Sequence, residues 1–213
     1  LVSGSEGFFR ASLETVRRLR HLVLALALIY TFSFTFGYLW AYNTFLPLES
    51  QEQVAELVET QPPFTTVLQA LREGDLPRAV LLTFAVNTGI GAFATTTLPG
   101  VIPLLGAAVT LGVTFFRGFI IGSVMPEVLT ASLGALVVAT GTLLLEFTAY
   151  SLSGAGGIHL SLSLIRPQRL GAKTRLEAFK LAWLDIARLF IPITLLLAIG
   201  ALWEMAGLYL LLP

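Results

Sequence analysis

The chain has 213 residues, 55% of them hydrophobic and 12% charged, and its 13 basic and 13 acidic side chains cancel to a formal net charge of zero. A soluble domain is roughly 25% charged, so this balance, with a mean hydropathy of +0.82, excludes a water-soluble globule and predicts an all-α, polytopic transmembrane bundle. Zero net charge gives no argument for nucleic acid, the absence of cysteine excludes disulfides and thiolate chemistry, and two histidines far apart, His21 and His159, predict no metal site and no cofactor.

The first element is an amphipathic helix over residues 7–21. Arg10, Arg17, Arg18 and Arg20 are interleaved there with Phe8, Phe9, Leu13, Val16 and Leu19, a pattern expected of a helix lying on the inner membrane surface. The basic region reaches Arg20 before any apolar run begins, so the start is not expected to be a cleavable signal. Leu22 to Tyr42 then runs about 21 residues without a charge, enough at 1.5 Å per residue to cross a hydrocarbon core of roughly 30 Å. Tyr38, Trp40 and Tyr42 crowd its far end as an interfacial aromatic belt would.

Residues 43–78 form an acidic loop, with Glu49, Glu52, Glu56, Glu59, Glu73 and Asp75 against Arg72 and Arg78. Val54, Leu57, Val67, Leu68 and Leu71 predict short helices within it, broken at Pro62-Pro63 and lying against the outer face. A second span is expected over Ala79 to Thr97, interrupted by Asn87, Gly89 and Gly91 and stopped at Leu98-Pro99-Gly100. The third, Val101 to Val124, is rich in glycine and alanine, which let helix backbones approach closely in a membrane. Pro126 separates it from the next run.

Val128 to Ile165 is apolar for about 38 residues, or nearly 57 Å as a straight helix, and is expected to break, re-enter or emerge. Gly154-Ala155-Gly156-Gly157 is the expected break, because glycine is the least costly residue to place in unwound backbone. Residues 166–188 form a basic inner segment carrying Arg166, Arg169, Lys173, Arg175 and Lys180, and the last span is about Leu189 to Leu212, with Pro192 near its start. Cytoplasmic flanks hold the excess of lysine and arginine, which places the N-terminus inside, the acidic loop outside and the C-terminus outside. Five spans in the cell membrane satisfy this with residues 1–213 as one transmembrane domain; six would put the 166–180 cluster outside.

Four polar residues fall within the spans: Asn87, Arg117, Glu146 and Glu204. Depth counted along the third and last spans matches Arg117 with Glu204, so an ion pair between them is expected, with snorkelling of Arg117 as the alternative. Register argues against a pair with Glu146, because a hairpin turning near Pro126 sets Glu146 about 18 Å too deep. Glu146 is expected to hydrogen-bond to Asn87 or nearby threonines, or to serve a proton relay or substrate. Asp185 and Arg188, one turn apart, read as a surface pair. Ser151, Ser153, Gly154 and His159 invite comparison with an intramembrane serine protease. They lack a Gly-x-Ser-Gly turn, however, and His159 follows in the same segment, so no catalytic residue is expected. There is no Glu-Glu dipeptide for a glutamyl protease and no phosphate-binding loop.

The order of features from about Leu81 to Pro167 resembles the stage II sporulation protein M family. Asn87 matches an asparagine in the first span of the family's core. Arg117-Gly118 and Gly122 match its small-residue helix, and Glu146, Ala149, Gly154, Gly156 and Pro167 match its glutamate helix. Arg117 stands where the family usually has asparagine, and Gly141-Thr142 where it often has a His-Gly pair. The resemblance implies a non-enzymatic scaffold or the membrane subunit of a multi-component complex, with protein partners or copies of itself in the lipid bilayer. The alternative is a self-contained small transporter or channel with a polar mid-membrane site around Glu146 and Arg117.

Overall fold

The computed structural model describes residues 4–44 and 64–211. In chain order the elements are α1 (Gly4–Thr44), α2 (Phe64–Arg72), α3 (Leu76–Ala85), a π-helical stretch Val86–Thr97, a 3-10 turn Leu98–Val101, α4 (Leu105–Ala131), α5 (Leu133–Ile165), a second 3-10 turn Pro167–Leu170, and α6 (Arg175–Leu211). Five segments are long and apolar enough to cross a membrane: Gly7–Asn43, Leu76–Val101, Leu105–Pro126, Leu133–Ile165 and Arg175–Leu211. The five-span, all-helical expectation therefore holds. The expected helix around Val54 and Leu57 and the break at Pro62-Pro63 lie outside the described residues.

The predicted surface helix over residues 7–21 is not a separate element, because it continues into the first span as one 41-residue helix. No glycine or proline interrupts residues 8–36, and the inward face of this segment finds protein rather than lipid. The Ser12 hydroxyl donates to the Arg188 carbonyl at 2.7 Å, and Leu19 is buried in one cluster with Leu189. At the opposite end of the bundle, α2 seats Val67, Ala70 and Leu71 against Ala79 of α3 and Met205 of α6, as expected of a short helix lying over that end. Gly74, at φ +77°, makes the reversal between α2 and α3, and the Asp75 carboxylate accepts the Arg78 N–H at 3.2 Å to cap α3.

Two departures set the site. First, α4 runs through Pro126 to Ala131, and the chain reverses at Ser132, whose hydroxyl accepts the Ala135 N–H at 3.0 Å and caps α5. A proline within a membrane helix is tolerated because it removes a single backbone bond and neighbouring helices absorb the distortion. With the turn at Ser132, Arg117 lies level with Glu146 to within about a residue, so the register argument against their proximity fails.

Second, the expected break at Gly154, Gly156 and Gly157 does not occur. α5 is one continuous 33-residue helix through all three. These glycines give close approach rather than unwinding: a Cβ on Gly157 would strike the Thr96 carbonyl and lie 3.2 Å from Thr97 Cα, and one on Gly100 would strike the Gly157 backbone. The irregular backbone lies in the second span instead, in the π-helical and 3-10 stretches. It ends at Leu104, held at φ +63° with its N–H donating to Ser161 Oγ at 3.0 Å.

Candidate functional site: a polar seam between the second and fourth spans

The second span and α5 run in the same direction, and matched positions differ by 59 residues. Asn87 meets Glu146, and a Cβ on Gly91 would press on the Tyr150 ring. The seam between them is lined with polar groups because α5 offers small or hydroxyl side chains on that face and the wide π-helical turns expose carbonyls to it. Asn87 Nδ2 donates to Glu146 Oε1 at 2.6 Å, one of the alternatives the sequence left open for Glu146. Toward the basic end, the Ser153 hydroxyl donates to the Ala92 carbonyl and lies 2.8 Å from Thr97 Oγ1, while Thr110 Oγ1 donates to the Thr96 carbonyl at 3.0 Å.

Arg117 enters the seam from α4. Its guanidinium donates to Tyr30 Oη at 3.3 Å, the Gly91 carbonyl at 3.3 Å and Thr95 Oγ1 at 3.0 Å, and lies 4.1 Å over the Tyr150 ring. These contacts, rather than an ion pair, meet the cost of placing a charge within a span. The expected Arg117–Glu204 pair does not form: α4 packs on α1 and α5, whereas α6 packs on α5, α1 and α3, so the third and last spans are not neighbours. Matched depth said nothing about which sides of the bundle the two helices occupy. Glu204 instead lies on the stretch of α6 that packs along α5, where Trp203 meets Gly141 and Gly200 meets Leu145. Glu204 takes no hydrogen-bond or ion-pair partner among the described residues. Among the described residues, Thr83 Oγ1, Thr88 Oγ1, Thr142 Oγ1 and Ser151 Oγ are buried and also lack a partner.

The basic end is closed by a cluster the sequence reading missed. Asp185, expected on the surface, is only 3% exposed. Its carboxylate takes Arg18 Nη2 at 2.5 Å and His159 Nε2 at 3.0 Å on one oxygen and Arg188 Nη1 at 3.3 Å on the other, joining α1, α5 and α6. The available signal was an aspartate placed among basic residues at the start of an apolar helix. His159 thus engages Asp185 while Ser153 engages Ala92 and Thr97, and the structure does not bring that serine and histidine together.

The family model for stage II sporulation protein M matches residues 25–205, most of all five spans. The chain belongs to that family. The match takes in Asn87, Arg117, Glu146 and Glu204 and extends well beyond the Leu81 to Pro167 core that carried the resemblance. No curated protein and no solved structure matches. Where the stage II sporulation protein M family usually carries asparagine, Arg117 here ties α4 to α1, the π-helical stretch and α5. In place of its common His-Gly pair, Gly141 admits the Trp203 indole, whose Nε1 donates to the Val138 carbonyl at 3.0 Å.

Proposed function

We propose that this chain is a non-enzymatic membrane subunit or scaffold that acts through protein partners docking on its basic end, which faces the cytoplasm. The observation that carries this reading is the Asp185 cluster. It fixes three spans relative to one another at the end where Arg17, Arg20, Arg166, Arg169, Lys173 and Arg175 stand exposed, giving a rigid cationic rim around a closed bundle. The rim also complements anionic lipid headgroups, so the test must separate protein from lipid. A photo-crosslinking residue at position 17 or 169 is expected to yield a discrete heteromeric adduct in native membranes, whereas one at the lipid-facing position 28 or 199 yields none. Absence of any protein adduct from the rim would overturn the reading.

The second reading, a small transporter or channel, is favoured by one observation: Thr142, one turn before Glu146 on α5, is a buried hydroxyl without a partner among the described residues. Solute or ion flux through liposomes containing the purified chain alone would support it over the scaffold.

A further inference from the structure

Two of the buried hydroxyls without a partner among the described residues fall at one level. Many helical threonines here donate to the carbonyl four residues earlier, as Thr31, Thr110, Thr114, Thr148 and Thr194 do, which is the ordinary way to satisfy a hydroxyl in a membrane helix. Thr83 and Thr142 do not, although they are only 7% and 9% exposed. Thr83 precedes Asn87 by one turn and Thr142 precedes Glu146 by one turn. The spacing of 59 that matches Asn87 with Glu146 therefore sets the two threonines level, on the same seam.

Glu204 reaches this level from the third side. α3 descends antiparallel to α6, and Ala79 shares a cluster with Met205, so Thr83, one turn on, lies level with residue 201, one turn from Glu204. Gly141 lies against the Trp203 indole, which sets Thr142 beside Glu204 in depth. The Asn87 amide nitrogen is engaged by Glu146, and its oxygen takes no hydrogen bond among the described residues.

We propose that Thr83, Asn87, Thr142, Glu146 and Glu204 form a binding site for a single alkali-metal cation within the membrane. The donors are all hard oxygens, the set that suits such an ion. With both carboxylates ionised, the one guanidinium of Arg117 leaves one negative charge, which one monovalent cation would neutralise in a medium that penalises unpaired charge. Bound there, the ion would join α3, α5 and α6 and give the hydroxyls of Thr83 and Thr142 their missing partner.

The test is thermal unfolding of the full chain in lipid nanodiscs, titrated with sodium, potassium or lithium chloride against choline chloride at constant ionic strength. The proposal expects a saturable rise in Tm of roughly 5 °C with one of the alkali ions. It also expects a stoichiometry of one per chain by calorimetry, and affinity at least about tenfold weaker in the double variant Thr83→Val, Thr142→Val. That variant is nearly isosteric and removes only buried hydroxyls without a partner, so its Tm in choline should be no lower than that of the parent. Should it misfold, Glu204→Gln, which breaks no hydrogen bond, must show the same loss. An equal response to choline and alkali ions, a response undiminished in both variants, or stabilisation by protons alone would overturn the proposal.

Discussion

Replacing Gly157 by alanine isolates the contact that distinguishes this structure from the broken-helix expectation. In a helix interior, alanine is favoured over glycine by about 1 kcal/mol through backbone entropy. Against this, the new Cβ would strike the Thr96 carbonyl and lie 3.2 Å from both Thr97 Cα and Thr97 O. Overpacking costs about 1–3 kcal/mol when side chains can adjust. Here the obstacles are backbone atoms, so the cost falls at or above the top of that range, and Gly157→Ala should lose about 2–3 kcal/mol net. Gly112 on α4 has no heavy atom within 4 Å of its virtual Cβ, so Gly112→Ala should gain about 0.5–1 kcal/mol. Reversible unfolding in mixed micelles of mild detergent and dodecyl sulfate, followed by tryptophan fluorescence, measures both. If Gly157→Ala is as stable as Gly112→Ala, α5 does not pack its glycine face against Thr96 and Thr97.

Three other outcomes follow from the seam and the basic end. Asp185→Asn removes the carboxylate shared by Arg18, His159 and Arg188 and should cost about 2–3 kcal/mol in the same unfolding assay, reduced from the fully buried case because Arg18 is half exposed. Exchanging charges in the double variant Arg117→Glu, Glu204→Arg should not rescue either single change, since α4 and α6 are not neighbours; restoration of folded yield by the exchange would refute the placement of Arg117. With choline as the only salt cation, Glu146→Gln keeps an acceptor for Asn87 and should change stability by less than about 1 kcal/mol, whereas Asn87→Leu strips the partner from Glu146 and should cost about 1–3 kcal/mol.

Hydropathy and charge segregation carried the sequence reading as far as they physically can. Five apolar runs and the grouping of residues 10–20 with 166–180 follow from burying apolar area and satisfying polar groups in lipid, and the Asn87–Glu146 bond was one of several alternatives they left open. The glycine run illustrates what could not be read. Gly154 to Gly157 serves unwinding or close approach equally well, and the choice rests on Thr96, Thr97 and Gly100, whose arrival on that face is a tertiary fact. Pro126 misled in the same way, since a kink within α4 and a turn after it read alike in sequence, and the five-residue difference moved Glu146 from remote to level with Arg117. Counting depth along spans located Arg117 and Glu204 but left their azimuth open. The Asp185 cluster was hidden because its partners come from residues 18 and 159, on two other helices.

The central claim is that the polar interior holds the bundle together and that partners meet its rim. Single cysteines in this naturally cysteine-free chain test it directly. With a membrane-impermeant thiol reagent applied from each side, positions 117, 146 and 154 should stay unlabelled while positions 17 and 169 react. Labelling of 146 and 154 at rates comparable to the rim would demonstrate an aqueous path to mid-membrane and contradict the account.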